Sequence, residues 1–180
     1  VPLLCENQKD NLAMVRIHLK FMKATALMVF PIVTGLMVLS KPFITVLLGE
    51  KWLPTADLFL LVCPIEFFYL ISTFNRNIYN ATGKTDWALQ SEIVKKTFFI
   101  LIFLITLNSS LQVFLIGLII ISILEMLYDT YFAKKQIGVT LFEQLKSLLP
   151  VLLASAVMGL LVSFVYFITS NIYFQLIIGV

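Results

Sequence analysis

The sequence predicts an all-α protein, a polytopic bundle of transmembrane helices with about five full spans and the start of a sixth. Composition is the first observation behind this. The 180 residues are 60% hydrophobic and 13% charged, with a mean hydropathy of +0.99, against roughly 45–50% apolar and 25% charged in soluble domains. That excludes an ordinary water-soluble core and excludes disorder. Spacing is the second. The apolar residues fall in runs close to ~20 residues long, the length a helix rising ~1.5 Å per residue needs to cross a lipid core. Within lipid every backbone polar group must be satisfied internally, and runs this long select helices over barrel strands.

The chain divides into three parts. Residues 1–23 are the end of a preceding span and a cytoplasmic amphipathic segment. Residues 24–134 are the helices of the main bundle. Residues 135–180 are a cytoplasmic loop followed by extra C-terminal helices. The chain starts at Val1 and stops at Val180 inside an apolar run, so a longer protein is expected around it.

Residues 6–23 carry Glu6, Lys9, Asp10, Arg16, His18, Lys20 and Lys23, with Leu12, Val15, Leu19 and Met22 at helical spacing. This predicts an amphipathic helix on the membrane surface that runs into the first span. His18 has no Cys, Asp or Glu at ligand spacing and reads as an interfacial side chain rather than a metal ligand. The first span covers about 24–48. Pro31 lies inside it and predicts a kink, because proline removes one ladder hydrogen bond. A polar turn, Gly49-Glu50-Lys51-Trp52-Leu53-Pro54, leads to the second span, about 57–79, with Glu66 near its middle and Asn75-Arg76-Asn77 at its far end.

The third span is set by length. Thr97–Leu107 alone is only ~16 Å as a helix, too short to cross, whereas starting at Trp87 gives ~31 Å. Glu92, Lys95 and Lys96 therefore fall within the helix. The Asn108-Ser109-Ser110 turn leads to the fourth span, about Leu111–Phe132, which holds Glu125 and Asp129 in its last third. The fifth is about Leu148–Ile168. There Ser155, Gly159 and Ser163 recur every four residues, a small-residue stripe that lets helices approach closely. A sixth span is expected from about Ile172.

Basic residues orient the bundle. With loops assigned alternately to two sides, one side receives all the lysines and arginines except Lys41 and Lys51, eleven of the 13. This positive-inside bias puts residues 6–23, 80–86 and 133–146 in the cytoplasm and the turns at 49–54 and 108–110 outside.

Four groups could carry chemistry. Glu66 lies near the bilayer midplane, where an ionised carboxylate is costly, so it must face a polar cavity, pair or be protonated. It is a candidate for ion coupling, or else a neutral packing carboxyl. Glu92 precedes Lys95 by three residues and Lys96 by four, so they can pair on one helix face. Glu125 lies at comparable depth on the next span and is expected to pair with Lys95 or Lys96. Arg76 and whichever lysine stays unpaired are then candidates to attract a diphosphate headgroup, the alternative being structural ion pairs with snorkelling side chains. Gly83-Lys84-Thr85 has Ile78 where a phosphate loop needs glycine, and it follows a membrane helix, which rules against nucleotide binding. Cys5 and Cys63 lack metal or redox spacing. With one histidine and no triad-like set, no catalytic residue, metal or cofactor is expected, and the protein is not expected to be an enzyme.

Several stretches together are similar to one known family. Val1-Pro2-Leu3-Leu4 before polar Glu6-Asn7-Gln8-Lys9-Asp10, Phe30-Pro31, Pro42-Phe43, Leu47-Leu48-Gly49-Glu50-Lys51-Trp52, Asn75-Arg76-Asn77, Gly83-Lys84-Thr85-Asp86 and Leu141-Phe142-Glu143-Gln144-Leu145 resemble bacterial polysaccharide and O-antigen flippases. These are the oligosaccharide-lipid exporters of the multidrug/oligosaccharidyl-lipid/polysaccharide exporter superfamily, and the Gly-Glu-Lys-Trp turn is the most specific part. The resemblance implies two six-helix lobes around a central cavity, often with two extra C-terminal helices. This chain would be most of the second lobe. It implies alternating-access flipping of undecaprenyl-diphosphate-linked oligosaccharide across the bacterial inner membrane during O-antigen, lipopolysaccharide or capsule synthesis. The partners would be the lipid bilayer, the lipid-linked oligosaccharide and the first lobe, with no nucleic acid. A drug exporter of the same superfamily is the alternative. A membrane-embedded glycan polymerase or ligase would need a large outer loop, and the outer turns are short.

Overall fold

A computed structural model describes residues 10–178, with side chains described through residue 168. The expected exit of an earlier span at Val1–Cys5 lies outside the described residues. The described chain forms six α-helices: α1 Asn11–Val38, α2 Ser40–Leu48, α3 Ala56–Ala81, α4 Thr85–Thr106, α5 Leu111–Ile137 and α6 Leu141–Ile178, with a 3-10 turn at Glu50–Thr55. No strand occurs among the described residues. Four stretches are long and apolar enough to cross a membrane: Asn11–Val38, Glu50–Ala81, Leu111–Ile137 and Leu141–Ile168. Helix α4, at 22 residues, has the length but is interrupted by Glu92, Lys95 and Lys96, the first two of which enter the ion pairs described below.

The helix boundaries follow local chemistry. Asp10 caps α1, its Oδ1 accepting from the N–H groups of Leu12 and Ala13 at 3.0 and 3.1 Å. The surface segment and first span are thus one continuous helix, and it passes through Pro31. The expected span over 24–48 is not continuous, however: the helix breaks at Leu39 and restarts at Ser40. Pro42 explains this. It has no N–H for the carbonyl of Val38, and its ring crowds that carbonyl. The ladder heals at once, with Phe43 N–H donating to Leu39 C=O at 2.9 Å. Helix α5 ends at Gly138, which adopts a left-handed φ of 83° and donates its N–H to Lys134 C=O. Helix α6 starts with a reciprocal cap. Thr140 N–H donates to Glu143 Oε2 at 2.8 Å and Glu143 N–H donates to Thr140 Oγ1 at 3.3 Å. Those bonds hold the exposed Glu143 carboxyl, ahead of the lipid-spanning part, below the usual carboxylate range. The turn expected before Ile172 is absent, for α6 runs unbroken to Ile178. No glycine or proline stands between Gly159 and Ile178 to stop it.

Helix α3 is central. It packs most extensively on α5 and also on α1 and α4, while α1 pairs with α6 and α5 with α4. The stripe of small residues on α6 meets α1. A Cβ on Gly159 would lie 2.7 Å from Thr34 Cγ2, and Ser155 is buried. Two apolar clusters fill the bundle. Met22, Ala26, Phe30, Leu70, Ile71, Met126, Leu148 and Val151 form the one nearer its middle. At one end Met14 joins Ile78, Tyr79, Ala81, Ala133, Ile137 and Val139. This second cluster gathers the three segments that the lysine bias assigns to one side, as the alternating topology requires. That end is closely packed. Towards the other end most of the described apolar side chains of α4 and α6 face outward, including Phe103, Ile105, Leu160 and Phe164, as lipid-facing helices do.

Candidate functional site

Polar side chains from three helices meet inside the lysine-rich half. Helix α3 supplies Ser72, Arg76 and Tyr79, at four- and three-residue spacing along one face. Helix α4 supplies Ser91, Glu92 and Lys95, and α5 supplies Glu125 and Asp129 one turn apart. Arg76 is the hub. Its Nη1 donates to Glu92 and lies 3.2 Å from Glu125 Oε1, and its Nε is 3.9 Å from Asp129 Oδ2. Lys95 Nζ reaches the same Glu125 oxygen at 3.0 Å. Asp129 is fully buried. Its carboxylate accepts from Ser72 and, at 2.8 Å, from Ser91, while Tyr79 OH donates to the Asp129 backbone carbonyl at 2.6 Å. Burying such charges is expensive unless each is paired and hydrogen-bonded; both Asp129 oxygens accept hydrogen bonds, and Glu92 and Glu125 each meet a cation through Oε1. With all groups ionised, three carboxylates face two cations, one net negative charge.

A second layer ties in α6. Asn75 Nδ2 donates to Gln144 Oε1 at 3.2 Å and to Thr130 Oγ1 at 2.9 Å, and Gln144 Nε2 returns a bond to Asn75 Oδ1 at 3.0 Å. The Tyr69 ring lies beside both cations, with Lys95 Nζ 4.7 Å and Arg76 Cζ 5.9 Å from its centroid. A cavity of about 230 Å³ opens next to Lys95 and Glu125, walled by Val94, Phe98, Leu124 and Tyr128.

The structure brings Lys95 and Glu125 together across α4 and α5. Glu92 differs from expectation: its partner is Arg76, not Lys95 or Lys96 on its own helix. The guanidinium enters from α3 with several donors in a fixed fork and reaches carboxylates on two helices at once, whereas Lys96 is exposed on α4. Arg76 is therefore engaged by acids rather than left open to a diphosphate. Of the three basic residues singled out from the sequence, Lys96 is the one with no ion pair among the described residues. Glu66 lies away from this cluster, exposed, beside a cavity of about 180 Å³ with Phe30, Thr34, Cys63 and Leu152. No hydrogen bond or ion pair reaches its carboxylate among the described residues. His18 is not interfacial but buried, edge-on to Phe74, because α1 turns that face onto α3. Among the described residues no group of three His, Cys, Asp or Glu side chains could hold a metal ion.

Sequence reasoning named Asp129, Asn75 and Gln144 without giving them a role and did not name Ser72 or Ser91. The signal was there for some of them: Asp129 follows Glu125 by one turn, and Ser72 precedes Arg76 by one turn. Such small polar residues mean little until the partner helix is known.

Fold and site together define a class: a helical, multi-pass membrane protein with an ionic network inside the bundle. Comparison narrows it. The family of polysaccharide biosynthesis proteins matches residues 1–57. The teichuronic acid biosynthesis protein TuaB of Bacillus subtilis (strain 168) is 29% identical over 87 residues, which is 48% of this chain and 18% of that protein's length. The match thus spans under a fifth of the length of this curated relative. No solved structure matches significantly. The two matches support a role in polysaccharide biosynthesis.

Proposed function

We propose that this chain is part of a transporter, not an enzyme, that flips lipid-linked oligosaccharide across the bacterial inner membrane by alternating access. The observation that carries this reading is the Arg76–Glu92–Glu125–Asp129–Lys95 network buried between helices of a chain similar to polysaccharide biosynthesis proteins. Ionisable groups inside membrane helices are costly and mark substrate or ion pathways. The network binds α3, α4 and α5 into one unit, as a body that rocks against another lobe must be. Lys96, and Lys95 when it exchanges from Glu125, offer ammonium groups to a diphosphate headgroup entering from the lysine-rich side. Glu66 is the candidate for ion coupling, since its unpartnered carboxylate borders a cavity. The partners in this reading are the bilayer, the lipid-linked oligosaccharide and a first lobe of the same protein.

Cells lacking the full-length protein test this. Lipid-linked repeat units should accumulate on the cytoplasmic side and clear when the gene is returned. Retained drugs with no such accumulation would point to the drug exporter instead. Unchanged flipping by Glu66→Gln would remove Glu66 from the coupling role.

A further inference from the structure

Two lysines from different elements converge on one indole. Lys84, in the turn between α3 and α4, places Nζ 5.9 Å from the Trp87 ring centroid, and Lys135, near the end of α5, places Nζ 5.7 Å from it. The ring is held against Phe132 and Tyr79, at centroid distances of 5.0 and 6.5 Å. Both lysines are exposed, and neither meets a carboxylate within ion-pair distance among the described residues. The two ammonium groups are thus no more than about 12 Å apart. Across residues 82–87 and 131–138, Lys84, Lys134 and Lys135 face a single acid, Asp86.

Two ammonium groups at one ring raise the local positive potential and favour an anion beside them. The place suggests which anion. Tryptophan favours the membrane–water boundary, and lysines there favour anionic headgroups of the cytoplasmic leaflet. Along the stripe of α5 that carries Lys135, the side chains of Tyr131, Leu127 and Leu124 are exposed, an apolar track for acyl chains. We propose that Lys84, Trp87 and Lys135 form a binding site for the headgroup of an anionic phospholipid. This site adjoins the Arg76 network only through the Tyr79 ring, its lysines form no ion pair with that network, and it does not depend on what the protein transports.

The test uses the full-length protein with every tryptophan but Trp87, Trp52 included, changed to phenylalanine, in vesicles holding either brominated phosphatidylglycerol or brominated phosphatidylcholine. Bromine quenches an indole it touches. Brominated phosphatidylglycerol should quench Trp87 more strongly, and each lysine changed to glutamine should lower that preference about fivefold. Quenching by brominated phosphatidylcholine should persist in Lys84→Gln/Lys135→Gln, showing that the protein is still folded and inserted. Equal quenching by the two lipids, or a preference that survives the double substitution, overturns the proposal. Recovery of fluorescence on adding a few unlabelled molecules of undecaprenyl diphosphate would also overturn it, in favour of a diphosphate lipid.

Discussion

Asn75 and Gln144 hold each other by two opposed amide hydrogen bonds, 3.2 and 3.0 Å long, with both side chains fully buried. The pair fastens α6 to the central helix. Gln144→Leu should leave the Asn75 amide part-satisfied and cost about 1–3 kcal/mol, less if lipid-like surroundings offer partners. Thermal unfolding in detergent reads this. The double change Asn75→Leu/Gln144→Leu should recover part of the loss, since no orphan amide remains.

Arg76 separates three acids. Arg76→Ala would leave Glu125 leaning on Lys95 alone and Asp129 without a cation. A loss of roughly 3–5 kcal/mol is expected, because uncompensated buried charges remain. Arg76→Lys should recover only part, as an ammonium cannot reach carboxylates on two helices in fork geometry. Folded yield by size-exclusion chromatography ranks the variants.

Gly159 lets α6 lie against α1. Gly159→Ala would place a methyl on Thr34 Cγ2, and overpacking of this sort costs about 1–3 kcal/mol. Thr34→Ala in the same protein should relieve most of that cost. A double-mutant cycle on melting temperature measures the coupling, and additive effects would mean that the two helices do not touch there.

Lys51 and Lys134 should lie on opposite sides of the bilayer. Cysteines placed at these two positions should differ in labelling by a membrane-impermeant maleimide on intact cells, with position 51 labelled and position 134 protected until the cells are opened.

Much of the fold was legible because lipid imposes simple rules. Apolar run length placed the spans, and the lysine bias agrees with the way Met14, Tyr79 and Ala133 gather at one end. The break at Leu39 was readable from Pro42 three residues on. The site was half legible. Lys95 and Glu125 could be matched by depth, since depth follows from position along a helix. Arg76 was placed at the correct level, yet its direction depends on how α3 is rotated, which only packing fixes. Asp129 and Gln144 needed partners on other helices to have any meaning, and one sequence does not name them.

Among the described residues, the side-chain hydrogen bonds that join α3 to α4, α5 and α6 gather in the lysine-rich half, and the far half holds the weak Cys63–Val33 contact at 3.7 Å. Prying the helices apart from the far half trades methyl groups for acyl tails at little expense. Prying from the lysine-rich half must snap directed bonds one after another. The bundle grips like a clothes-peg at its lysine-rich end, so α3, α4 and α5 should part last there.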